Sequence, residues 1–121
     1  MKDLFVPYEI AIQLKEVGFN EPCLAHYSGE NFTYSPVIMG RLFPTKKVNK
    51  HEYLAPTFSQ TFKWFEKNHV LKCWVEWGSE YLQLAYYQNS SGMKYFISEH
   101  GTKEKAEIAC LKKLIELVKN K

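Results

Sequence analysis

The chain has 121 residues, of which 45% are hydrophobic and 16% aromatic, and a formal net charge of +3. That length and apolar content argue for one compact domain and against disorder. The three cysteines are far apart and form no C-x-x-C pair, which argues against a disulfide framework or a zinc site and for a reducing, intracellular setting.

Met1 to Pro7 is interrupted by Asp3 and Pro7 before any long apolar run develops, so it reads as neither a signal peptide nor a membrane span. Pro7 to Val17 then predicts a helix. Proline suits its first position, Gly18 its stop, and Ile10, Leu14 and Val17 share one face. Cys23 to Tyr27 and Phe32 to Ser35 read as an extended pair around a Ser28-Gly29-Glu30-Asn31 turn. From Pro36 to Pro56 no periodicity emerges. Four basic residues (Arg41, Lys46, Lys47 and Lys50) stand there against one acid, Glu52, an excess equal to that of the whole chain. An irregular stretch of this length inside a small protein signals function, mobility or an element without a clear pattern.

The second half is more regular. Pro56 to Asn68 predicts a helix with Phe58, Phe62 and Phe65 in one stripe and Trp64 on its flank. Three strands follow. In the first, Leu71, Cys73, Val75 and Trp77 alternate with Val70, Lys72, Trp74 and Glu76, and Gly78-Ser79 reads as a two-residue hairpin turn. Tyr81 to Tyr87 and Met93 to Glu99 form the second and third strands, joined by Asn89 to Gly92. Thr102 caps a closing helix. Its apolar arc holds Ala106, Cys110, Leu114 and Leu117 beside Ile108, Leu111, Ile115 and Val118. An arc so wide requires cover from the sheet and from another helix. The expected architecture is α+β: a three-stranded antiparallel meander packed on helices, α-β-β-β-α, with an N-terminal helix and short hairpin. The expected organisation is a single domain, 1–121, comprising helix and hairpin (1–35), a basic loop (36–55) and the α-β-β-β-α core (56–121).

The order α-β-β-β-α over residues 56–119 resembles a double-stranded-RNA-binding domain. In that family a K-K-x-A-K pattern opening the second helix grips phosphates. Here the matching run is Lys103-Glu104-Lys105-Ala106-Glu107. Lys103 and Ala106 fit the pattern, whereas Glu104 and Glu107 oppose phosphate, and Gly78-Ser79 stands where the family carries G-P-x-H. A second resemblance rests on the end motifs "LFVPYEIAIQLKEVGFNEPCLAHY" and "TKEKAEIACLKKLIELV", with "APTFSQTFKWFEKNH" between them. These are similar to a family of small uncharacterised proteins of phages and prophages of the Bacteroidetes. The resemblance implies a cytoplasmic protein made in a bacterial host, an accessory or anti-defence factor, and assigns no activity.

Catalytic and metal motifs are missing from the pattern. His26, His51, His69 and His100 are scattered, and Cys73 and Cys110 fall at packed positions. The glycines form neither a P-loop nor G-x-G-x-x-G. The reading is therefore a non-enzyme without cofactor, metal or membrane, whose partner is a protein or a ribonucleoprotein such as a host-defence effector. Direct RNA binding is the alternative. The expected contact residues are Arg41, Phe43, Lys46, Lys47, Lys50 and Tyr53, with Lys103 from the closing helix, because cations interleaved with aromatics suit RNA backbones and unstacked bases. One sheet face is left with surplus aromatics, either Trp74, Tyr86 and Phe96 or the alternates Trp77, Tyr81, Tyr87 and Tyr95, which are covered by the N-terminal helix and hairpin or else offer a partner surface.

Overall fold

The structure, a computed structural model, describes residues 2–45 and 47–120. It is α+β, and it divides into two compact units, Met1–Gln60 and Thr61–Lys121, the division falling within one helix. Among the described residues no helix is long and apolar enough to cross a membrane.

In the first unit a 3-10 turn, Lys2–Leu4, precedes helix α1, Tyr8–Glu16. Pro7 occupies the N-cap position in extended conformation, so its missing N–H costs the helix nothing. At the other end Gly18, at φ +94°, donates to the Lys15 carbonyl, and Phe19 donates to that of Leu14 at 2.9 Å. This is the paired-bond stop that a left-handed glycine permits. Ile10, Ala11 and Leu14 are buried. Strands β1 (Ala25–Ser28) and β2 (Asn31–Tyr34) form the expected hairpin, with Gly29 at φ +59° in its turn.

Among its described residues the stretch 36–55 proves to contain three short strands: β3 (Val37–Ile38), β4 (Arg41–Leu42) and β5 (Glu52–Leu54). β3 and β4 pair with each other, while β5 joins β1 on the side away from β2, giving the sheet order β2-β1-β5. These strands have two or three residues each, too few for alternation to show. Thr45 is held in a two-way backbone bridge with Cys23, at 2.7 and 2.8 Å. Buried Ser35 donates to the Cys23 carbonyl at 3.0 Å and accepts from the Thr45 N–H at 3.2 Å. Its single proton being committed, the 2.9 Å contact between the two hydroxyls is donated by Thr45.

Helix α2, Phe58–His69, carries the aromatic stripe across the division. Phe58, Trp64 and Phe65 are buried. In the second unit, strands β6 (Lys72–Ser79), β7 (Leu82–Gln88) and β8 (Lys94–His100) form an antiparallel meander, and helix α3, Lys103–Lys119, lies against all three. Thr102 caps α3, its side chain accepting from the Lys105 N–H at 3.2 Å. Ala85, Ala106 and Cys110 form a buried cluster, with Phe62, Cys73, Val75 and Ile97 packed around it, so α2 and α3 meet the same sheet face. Between α2 and β6, Val70 adopts φ +54°, a strained setting for a β-branched residue.

The expected turn at Gly78-Ser79 is corrected. β6 runs through to Ser79, which pairs with Leu82, and the turn is Glu80-Tyr81. Gly78 is instead the extra residue of a bulge between Trp77 and Ser79. A side chain there would come within 3.1 Å of Leu84, which accounts for the glycine better than a turn does.

Candidate interaction surface

The basic segment of the first unit is built outward from β3 and β4. The turn between them is Met39-Gly40, both with positive φ (53° and 77°), the two-residue geometry that matches strand twist. It lifts Met39 fully into solvent and presents Arg41 exposed on the returning strand. Phe43 follows, 47% exposed, with its N–H donated to the Pro36 carbonyl at 3.0 Å. Lys47 and Lys50 are exposed; Lys46 lies outside the described residues. Arg41, Lys47 and Lys50 form no ion pair among the described residues.

The return path of this segment is held by a residue to which the sequence assigned no role. The Lys15 ammonium, on α1, donates to the carbonyls of Asn49 (3.1 Å), Lys50 (3.3 Å) and Glu52 (3.1 Å), and sits 4.9 Å from the Tyr53 ring centre. The Asn49 side chain accepts from the His51 N–H at 3.0 Å, and Glu52 accepts from the Asn49 N–H at 3.2 Å. The basic stretch thus ends in a pinned turn. A lysine beside an irregular stretch carries no sequence signal for this; only the fold brings three carbonyls around it.

Replacing Lys15 by methionine keeps the stem and removes three charge-assisted bonds. The expected cost is about 1–2 kcal/mol, with faster hydrogen exchange at Gly29 and Glu52, whose N–H groups bond into this turn. Unchanged protection would show that Asn49 and Glu52 hold the turn unaided.

Tyr53 thereby also serves the scaffold. It is half-buried, and its ring stands edge-on to Tyr8 at 5.8 Å. Tyr8 continues to Tyr27 at 5.4 Å, and Tyr27 to Phe32 at 5.4 Å, in one chain of edge-to-face rings. The Tyr27 hydroxyl donates to the Val6 carbonyl at 2.8 Å. A cavity of about 270 Å³, walled by Leu14, Phe19, Val48 and Leu54, has Lys15 and Lys47 on its lining. The ammonium of Lys15 is already committed to carbonyls, leaving Lys47 as the cation available there among the described residues. Lys103 belongs to the second unit, exposed on the first turn of α3.

In the second unit the register decides which aromatics share a face. Trp74, Tyr86 and Phe96 are aligned across the three strands on the side away from the Cys73, Val75 and Ala85 cluster. Trp74 and Tyr86 lie nearly parallel, with ring centres 5.9 Å apart, and Phe96 meets Tyr86 edge-on at 5.5 Å. Phe96 is 54% exposed. The Lys94 ammonium stands 4.4 Å from the Tyr86 ring and 3.1 Å from Glu76, which also accepts from the Trp74 indole at 3.1 Å. Those two donors, the indole first, hold the Glu76 carboxyl below its usual range. The alternates separate: Tyr87 and Tyr95 stack at 5.0 Å on the helix side, while Trp77 and Tyr81 stand exposed at the hairpin end.

Catalytic geometry is sparse. Ser98 and His100 share a 2.7 Å hydrogen bond, but no acid orients the second ring nitrogen among the described residues. No cluster of three or more His, Cys, Asp or Glu able to hold a metal occurs among them either. Buried Cys23 is pushed up to about 12, chiefly by burial and then by the nearby Glu21 charge, the opposite of an activated nucleophile.

These features define an α+β protein of two compact units whose most distinctive exposed chemistry is a basic strand-turn segment and a row of sheet aromatics. No family model matches the chain, and no curated protein or solved structure is significantly similar to it.

Proposed function

We propose that the protein is a non-enzymatic accessory module that binds a macromolecular partner through the basic segment Arg41–Lys50. The observation that carries this reading is segregation of charge. From Asn31 to His51 the chain holds no acidic residue, and Arg41, Lys47 and Lys50 are exposed with Phe43 among them. Cations that serve solubility alone are interspersed with acids over a surface; a one-sign segment on a short-strand scaffold suits a polyanionic or acidic counterpart. The resemblance to phage proteins sets the context as the cytoplasm of a bacterial host. It makes a host-defence ribonucleoprotein, such as a CRISPR effector, the sharpest form of the proposal, with the basic segment docking on its protein–RNA surface and blocking it.

Purified effector ribonucleoprotein, titrated with the native chain and with an Arg41→Glu, Lys47→Glu, Lys50→Glu variant, tests the reading. The native chain is expected to inhibit, and the variant to need at least tenfold more protein for equal effect. Equal potency of the two would remove the segment from the interface.

A second reading, direct RNA binding through the second unit, is favoured by the Trp74–Tyr86–Phe96 row with Lys94 beside it, since bases stack on aromatics at an open sheet face. It requires affinity for single-stranded RNA with steep salt dependence in the absence of any protein. Glu76 and Glu99 on the same face oppose phosphate, which places this reading second.

A further inference from the structure

Two of the three thiols converge on one atom in the second unit. Cys73 projects from β6 and Cys110 from the middle of α3, one half-buried and the other fully buried. Cys73 donates its S–H to the Tyr86 carbonyl at 3.0 Å. The Cys110 sulfur lies 4.0 Å from that same oxygen and 3.7 Å from the Trp74 carbonyl. Cys73 also packs against the buried cluster that contains Cys110, and the neighbouring Cys110 thiol, ahead of burial, holds the Cys73 thiol far above its ordinary range.

The acceptor lies at an irregularity of the sheet. The pairing of β7 with β8 shifts register between Ala85 and Tyr86, where Tyr86 faces Phe96 and Ala85 faces Ser98. A shift of this kind disrupts the ladder locally and leaves backbone groups in need of other partners. Here the thiols supply donors beside the disruption. An isolated buried cysteine packs as a small hydrophobe; two in contact around one carbonyl are also placed to react with each other.

We propose that Cys73 and Cys110 are a modification site, closing under hydrogen peroxide into a reversible disulfide that ties α3 to β6. One thiolate attacks a peroxide oxygen; the O–O bond breaks, hydroxide leaves and takes up the proton that thiol released, and that cysteine becomes a sulfenic acid. The second thiolate attacks the sulfenic sulfur, the S–O bond breaks, and hydroxide leaves, taking up the second thiol's proton as water. Two thiols and one peroxide thus give one disulfide and two waters. Peroxide is small enough to reach the half-buried Cys73 directly. The site responds slowly at neutral pH, because little thiolate forms in the folded state. Closure also strips the Cys73 S–H donor from the Tyr86 carbonyl. The consequence reaches the opposite face, where the Tyr86 ring stands between Trp74 and Phe96.

The test is peroxide treatment of the native protein, followed by alkylation, proteolysis and mass spectrometry. The expected product is a Cys73–Cys110 linked peptide, lighter by two hydrogens, reversed by dithiothreitol, with Cys23 still alkylated. Its rate of formation should rise roughly tenfold from pH 7 to pH 8, following the thiolate fraction. In Cys110→Ala the linked peptide should vanish and Cys73 should be trapped as sulfenic acid by dimedone. Recovery of both cysteines in native protein as free thiols or as sulfinic acids would overturn the proposal, and so would linkage to Cys23 or between chains.

Discussion

Replacing Leu114 by alanine is expected to lower the free energy of unfolding by roughly 2–5 kcal/mol, a large share of the total stability of a protein this size. Leu114 lies in the buried arc of α3, with Ala106, Cys110 and Leu111 also fully enclosed and Ile115 1% exposed. The truncation removes transfer energy and leaves a cavity between α3 and neighbours that are themselves packed, so relaxation recovers little of the loss. Lys112→Ala, on the exposed edge of the same helix, supplies the comparison and should stay within about 0.5 kcal/mol. Urea titrations of both variants decide the matter. Equal midpoints for the two would mean that α3 is not the keystone of the second unit.

Raising the pH from 9 to 12 should destabilise the fold progressively. Cys23 is fully buried, its thiol donating to the Glu21 carbonyl at 3.3 Å, and its pKa rises from 9.0 to about 12. The unfolded chain releases this proton near pH 9 and the folded chain holds it until about 12. Within that window the folded state binds more protons, so stability falls as pH rises; below pH 9 the contribution is fully present. The loss approaches about 1.4 kcal/mol per pH unit for this one group. Tyr27, raised by burial, and Cys73, raised by its Cys110 contact and by burial, act in the same direction. Urea titrations at pH 8, 9, 10 and 11 should show midpoints that decline, and decline less steeply in Cys23→Ala. The same decline in that variant would place the alkaline loss elsewhere.

How far the fold could be read in advance follows from element length. α1, α2, α3 and the meander extend over enough residues for periodicity and caps to register, and Pro7, Gly18 and Thr102 lie where the helix ends require them. β3, β4 and β5 are too short for a pattern to develop, and β5 gains its place from pairing with β1. Gly78 misled for a related reason: a bulge glycine and a turn glycine look alike in sequence, and only the Ser79–Leu82 pairing tells them apart.

The candidate surface divides in the same way. Charge and exposure at Arg41, Lys47 and Lys50 are composition effects and were legible. Tyr53 has a structural role that the sequence did not show, its strand being paired beside Tyr27 with Lys15 over its ring. Two equivalent aromatic sets were open for the sheet face, because alternation cannot say which side the helices take. Contact with Phe62, Ala106 and Cys110 settled it in favour of Trp74, Tyr86 and Phe96.

By itself, then, the sequence determined the helices, the meander and the location of the charge, since these depend on residues near one another in the chain. The Lys15 carbonyl cage, the β5–β1 pairing and the meeting of Cys73 with Cys110 were decided by tertiary structure alone. Each joins groups more than twenty residues apart, and their energetics exist only once the intervening chain has folded.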